Sequence, residues 1–309
     1  MLSYIAKRVL ASIPTLLLVY TLVFAIAHLT PGSPWDIGSN RPLDPVVKAA
    51  LDAKYHLNDP IYKQFIDYLL GVLSGDFGPS YRDRTQSVNS IIRHFLPVSI
   101  QLGSAAMVLA VVLGLPLGAL AALSNRRWVD AFIRVLSTLG ISMPTYVVVS
   151  ILIVLLGVEL GWVPTFGWRG IFSTTAIVPV FSLALAPLAA VIRYFRSSML
   201  EVMHLDFVRT ARAKGVSPVG VVIWHMGRNA LVPVVTVIGV YTSYILVGSF
   251  FVESIAGVPG FGRYFVLSVA ARDYPVIMAT ALVYALFVVG INMLVDLSYF
   301  VLDPRVRME

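Results

Sequence analysis

Residues 193–233 read RYFRSSMLEVMHLDFVRTARAKGVSPVGVVIWHMGRNALVP, a polar and basic island between two long apolar stretches. Gly215 has the place of a residue just past a helix C-terminus, where glycine takes the left-handed conformation without a Cβ penalty. Ser217 and Pro218 read as an N-cap followed by proline at the first helical position. The spacing predicts a short helix over residues 206–214, a tight turn and a second helix. On the first helix Arg209 and Arg212 share a face, and Phe207, Val208 and Ala211 offer apolar contact. Such a helix suits docking onto another protein at a membrane surface; the competing reading is a helix lying on lipid headgroups.

Working outward, the chain of 309 residues is 58% apolar and only 13% charged, with mean hydropathy +0.84. That composition excludes a soluble globular domain and marks an integral membrane protein. The net charge of +7 is spread along the chain rather than gathered with aromatics, so membrane flanks explain it and nucleic acid does not. The absence of cysteine excludes disulfides and thiolate chemistry.

Six apolar runs are long enough for the roughly 20 residues that a bilayer requires. They cover about residues 9–29, 98–123, 135–156, 173–192, 231–252 and 276–300. The first is too long for a signal-peptide core and no small-residue cleavage site follows it, so it is expected to be retained. Residues 30–95 have ordinary composition and form an extramembrane region with helical spacing in DPVVKAALDAKYHL and DPIYKQFIDYLLGVL, then a turn in SGDFGPSYRDR. Trp162 and Trp168 in GWVPTFGW sit where interfacial aromatics belong, and Pro179 and Pro187 free backbone carbonyls in the fourth span and bend it unless neighbours compensate. Six spans place both termini on one side. The short loops of that side, the island included, carry thirteen Lys and Arg against three (Arg169, Arg263 and Arg272) on the other. The termini and the island are therefore expected in the cytoplasm and residues 30–95 outside.

Several chemistries have no residues to carry them. There is no GxxxxGK[ST] phosphate loop, no HExxH or comparable histidine spacing, and no serine, histidine and aspartate set in a motif, so the chain reads as non-enzymatic and holds no metal or cofactor. An ion-coupled transporter needs a carboxylate near the midplane, and the spans offer only Asp296, near a helix end. Tyr241, Ser243 and Tyr244, with Thr242, either line a polar path in the fifth span or hydrogen-bond between helices.

The island also carries a resemblance. RTARAKG (residues 209–215) followed by WHMGRNALVPVVT (224–236) resembles the cytoplasmic loop of permease subunits of bacterial binding-protein-dependent ABC importers, in the dipeptide and oligopeptide subfamily. GDFG (75–78), ISMP (141–144), GWVP (161–164), PGFGR (259–263), RDYP (272–275) and LDPRVR (302–307) extend the likeness over nearly the whole chain. The sizeable region after the first span resembles the first permease of the pair. Arg209 and Thr210 stand where the wider importer pattern has glutamate and alanine, and the gap from Gly215 to Pro233 is longer; both departures match the peptide subfamily.

The resemblance implies an all-α integral membrane chain of six transmembrane helices with the type I ABC importer permease fold. Residues 1–29 would hold the N-terminus and first span, 30–95 the external region, and 96–309 a five-helix core with its coupling loop at 193–230. It implies a location in the cytoplasmic (inner) membrane. The implied partners are a second homologous permease chain, two ATPase subunits or one two-domain ATPase chain, an external solute-binding protein and membrane lipids. ATP and Mg would be bound by the ATPases, not by this chain. Asp206, Arg209, Thr210, Ala211, Arg212, Ala213, Lys214 and Gly215 would form the coupling helix seated on an ATPase. The cargo implied is a di- or oligopeptide, with nickel chelates, haem, glutathione and sugars as alternatives; a stand-alone secondary transporter is the reading from another class.

Overall fold

The computed structural model describes residues 2–30, 32–35, 44–83 and 85–302, and the described residues are helical apart from short loops. The basic tail 303–309 and Arg41 and Arg84 lie outside them. The helices are α1 (Leu2–Leu29), α2 (Pro45–Lys54), α3 (Ile61–Leu73), α4 (Val88–Leu123), α5 (Arg127–Ser142), α6 (Thr145–Leu152), α7 (Ile177–Val202), α8 (Asp206–Ala213), α9 (Pro218–Gly220), α10 (Arg228–Leu246), α11 (Phe250–Ala256), α12 (Gly262–Ala271) and α13 (Tyr274–Leu302). Among the described residues five stretches are long and apolar enough to cross a membrane: Ile5–Leu29, Val88–Leu123, Thr174–Val202, Pro218–Leu246 and Tyr274–Tyr299. The bent pair Arg127–Ser142 and Thr145–Glu159, which joins α5 to α6 and the π-helical turn after it, makes a sixth when counted as one broken span.

α4 and α7 form the centre. α7 is the most buried of the spans, and it packs most extensively on α4. The approach is close because α4 presents small residues: a Cβ on Gly114 would lie 2.7 Å from Val191 Cγ1, and one on Gly118 would lie 2.9 Å from the Ile192 carbonyl oxygen. Without a hydrophobic force between helices in lipid, such backbone proximity supplies much of the packing energy. Gly103 repeats the device against α10, where a Cβ would come within 2.9 Å of the Ile245 carbonyl oxygen. The peripheral α1 lies on α13, and Arg8 pairs with Asp296 at 2.7 Å. Asp296 is thus an ion-pair partner near the helix end rather than an isolated midplane carboxylate.

Three expectations from the sequence need correction. The third span is not one rod from 135 to 156: α5 and α6 meet at 105° around Met143 and Pro144. Proline has no N–H to donate and pushes the residue before it out of the helical region, and Met143 is extended at φ −83°, ψ 124°. The fifth span ends at Leu246, not Val252, because Gly248 (φ +108°) turns the chain before α11. The second helix of the island is not separate from that span. α9, a π-helical stretch Val221–Gly227 and α10 run end to end as Pro218–Leu246.

The region after the first span docks on the end of α1 remote from the N-terminus. Asp44 caps α2 by accepting from the Val46 N–H, with Pro45 in the first turn. Tyr20 donates its hydroxyl to the Phe65 carbonyl at 2.6 Å, with Phe24, Phe65 and Tyr68 rings around it. The turn at residues 80–82 is held from the far end of the sequence. Buried Asp273 accepts from Ser80 Oγ at 2.5 Å and from the N–H groups of Tyr81 and Arg82 at 3.1 and 3.2 Å.

Candidate coupling surface and translocation face

The eight residues of α8 divide sharply by face. Val208 and Ala211, three apart, are buried, while Asp206, Phe207, Arg209, Thr210, Arg212 and Ala213 are exposed. The two buried side chains belong to a cluster with Phe195, Met199 and Val202 of α7, Val221 and Met226 of the π-helical stretch, and Ala230 of α10. Burying one valine is worth roughly 1.5–3 kcal/mol, enough to seat so short a helix when the chain on both sides is already held. This corrects the reading of Val208 and Ala211 as contacts for another protein: they fasten α8 to its own spans. What the helix offers outward is Phe207, two arginines, Thr210, Ala213 and Lys214.

The end of α8 follows the expected chemistry. Gly215 is left-handed at φ +75°. The Val216 N–H reaches back to the Ala211 carbonyl at 3.2 Å and the Gly215 N–H to that of Arg212 at 3.0 Å, which satisfies carbonyls the helix would leave open. Arg212 and Lys214 stand at this negative end of the helix dipole. Ser217 Oγ accepts from the Gly220 N–H at 3.2 Å and so caps the next helix. Asp206 and Arg209 approach to 3.6 Å while 97% and 72% exposed, a pair of negligible strength in water. Both charges therefore stay available to a partner.

Two arginine contacts stiffen the frame around the island. Arg196 grips Asp130 through Nε at 2.5 Å and Nη2 at 2.8 Å, joining α7 to α5, and Arg134 adds a contact to Asp130 at 3.3 Å. The path candidates do not gather. Ser243 is buried and donates to the Gly239 carbonyl of its own helix, and Tyr241 packs on the cluster around Leu102 and Ile245. Tyr244 is 69% exposed. It lines a cavity of about 420 Å³ with Phe250, Phe251, Phe261, Phe265 and Tyr284. The polar run around Tyr241 gave no sign of the aromatic residues of α11 and α12 that share this cavity with Tyr244.

Sequence reasoning also missed Glu253. Its carboxylate is 1% exposed in the break after the fifth span and accepts from Ser99 Oγ of α4 at 2.6 Å. The only local sign was one acidic residue in the otherwise apolar run SFFVESIAGV.

Residues 114–308 match the family described as binding-protein-dependent transport system inner membrane component. The oligopeptide transport system permease protein OppB of Haemophilus influenzae is 42% identical over 308 residues, covering 99% of this chain and all of that protein. The dipeptide transport system permease protein DppB of Bacillus subtilis is 41% identical over 309 residues, covering 100% of this chain and 99% of that protein. OppB of Escherichia coli is 40% identical over 308 residues, with 99% and 100% covered. Among solved structures, the inward-facing MetNI methionine ABC transporter aligns with a TM-score of 0.56 at 16% identity over 69% of this chain and 96% of that one. An amino acid ABC transporter aligns with a TM-score of 0.51 at 18% identity over 67% and 92%. The six-span helical core, the exposed helix α8 and full-length identity at this level have one reading: the chain belongs to the binding-protein-dependent transport system inner membrane components, as a non-catalytic permease subunit.

Proposed function

We propose that this permease passes di- or oligopeptides from an external binding protein to the cytoplasm by alternating access. The observation that carries the cargo is full-length identity of 40–42% to relatives named for oligopeptides and dipeptides. In this reading a second permease chain completes the path and two ATPase domains, which bind ATP and Mg, supply the energy. ATP drives the change only through unequal affinity for the two states. The outward face of α8, from Asp206 to Gly215, seats on one ATPase, and the burial of Val208 and Ala211 gives that contact a stiff connection to α7 and α10. Tyr244 and its aromatic neighbours face the path. Reconstituted with the second permease, the ATPases and the binding protein, the complex is expected to take up labelled di- or pentapeptides; uptake of a nickel chelate or sugar but no peptide would refute the cargo.

The same reading puts both termini and α8 in the cytoplasm, supported by the thirteen-to-three charge asymmetry. Since the chain has no cysteine, single cysteines report sidedness without background. Val46, Arg169, Ser254 and Val219 are exposed and avoid left-handed glycines. An impermeant thiol reagent added to intact cells is expected to label Val46→Cys, Arg169→Cys and Ser254→Cys and to spare Val219→Cys. Labelling at position 219 from outside would reverse the orientation.

A further inference from the structure

The break between the fifth and sixth spans closes around one carboxylate. Glu253 Oε1 accepts from Ser99 Oγ at 2.6 Å, Ser99 Oγ accepts from the Phe261 N–H at 2.7 Å, and Glu253 Oε2 accepts from the Arg263 N–H at 3.3 Å. The chain closes this tightly only because three positions lack side chains. A Cβ on Gly260 would lie 2.3 Å from Glu253 Cδ, one on Gly248 would lie 2.3 Å from Oε1, and one on Gly262 would lie 2.7 Å from the Gly248 carbonyl carbon. Ser99 is fully buried on α4, so a single hydroxyl joins the core of the bundle to Glu253 and Phe261 of the 248–263 segment.

Among the described residues no opposite charge pairs with this group. The charged neighbour is Arg263, and its guanidinium turns away to lie 5.0 Å from the centre of the Phe95 ring and 5.3 Å from that of Tyr264. α6 carries no charged residue, those of α7 (Arg193, Arg196 and Glu201) lie toward its other end, and on α4 Arg93 and His94 precede Ser99 by more than a turn. A buried carboxylate with hydrogen bonds but no cation is costly to the fold, and costly features persist where they do something.

We propose that Glu253 and Ser99 form a latch that holds residues 248–263 shut on α4, and that outward opening of the permease parts this latch. Glu253 is a positioning residue here: it fixes the loop that carries Phe250, Phe251 and Phe261 into the aromatic cavity beside Tyr244. The proposal rests on the reading that this end faces outside and that the complex alternates. Burial pushes the Glu253 carboxyl up to about 7. Once the latch parts, the carboxyl meets water and returns to the ordinary value near 4.5. Because the shut form holds the proton more tightly, it is favoured as pH falls through 7 and loses that advantage as pH rises above it.

The test uses the reconstituted complex with its ATPases, partner permease and binding protein. Ser99→Ala is expected to raise hydrolysis without loaded binding protein about tenfold, since the shut state loses a buried bond to a charged group. A cysteine at Val258, which is 1% exposed, should become correspondingly faster to label in the Ser99→Ala background. Wild type is expected to raise its unstimulated hydrolysis between pH 6 and 8, and Glu253→Gln, which keeps the shape and removes the titration, should abolish that rise. Should Ser99→Ala fail to assemble, the Glu253→Gln pH profile decides alone. Wild-type labelling and an unaltered pH profile in a complex that still responds to binding protein would overturn the latch. A wild-type complex with no response to any loaded binding protein would instead overturn the functional reading.

Discussion

Gly215→Val is expected to insert and assemble normally and yet lower binding-protein-stimulated ATP hydrolysis about tenfold, with uptake falling in step. The argument is purely conformational. Gly215 sits at φ +75°, and a Cβ there would meet nothing within 4 Å, so no clash in this chain contributes. What remains is backbone strain, which for a β-branched residue in this region is of order 1–3 kcal/mol. The cheapest relief is to unwind the end of α8, which releases the 216-to-211 bond and changes the angle between α8 and the next helix. Gly215→Asn, which tolerates the left-handed region, should retain most of the activity. Arg209→Glu reverses a charge on the exposed face and should weaken co-purification of the ATPase, whereas Arg169→Glu at the other end should not. Wild-type stimulated hydrolysis in both Gly215→Val and Arg209→Glu would remove α8 from the coupling role.

The second large effect concerns Asp273→Ala. It strips the acceptor from three buried or half-buried donors at once, two of them backbone N–H groups that cannot turn elsewhere. Leaving such donors without partners costs about 2–4 kcal/mol in total. The turn at residues 80–82 should come free of α13, so trypsin should cut after Arg82 in the folded protein, and thermal inactivation of the detergent-solubilised chain should begin at lower temperature. Asp273→Asn keeps one acceptor oxygen and should fall between. Resistance of Asp273→Ala to trypsin at this site would show that other contacts suffice to hold the turn.

The island illustrates what a sequence makes legible. Gly215, Ser217 and Pro218 act through their own backbone, so their signals survive unchanged into the structure, and the helix at residues 206–214 was placed to within a residue. Amphipathic spacing also identified the apolar side of α8 correctly. It is silent on what covers that side, and Val208 and Ala211 turned out to be covered by the chain's own α7 and π-helical stretch. The third span failed differently. Hydropathy averages over a window, and the apolar run on either side of Pro144 hid a right-angled bend that one residue causes. The Glu253 latch joins residues 154 positions apart, and the Asp273 contact with Ser80 spans 193; such pairings leave no local pattern. Gly248 lay hidden inside the apolar run read as the fifth span, and the purpose of Gly248, Gly260 and Gly262 depends on a carboxylate that packs against all three.

The continuous helix from Pro218 to Leu246 begins at the cap beside α8 and stops two residues short of Gly248. At 29 residues it is a bar about 43 Å long. Pivoting such a bar by about 10° at its foot sweeps its tip through about 7 Å, several times the reach of a hydrogen bond. Leverage of this kind needs no large motion at the ATPase and no relay of side chains through the bilayer. A small rocking of the turn around Gly215 is geometrically sufficient to pull a 2.6 Å contact apart at the other surface.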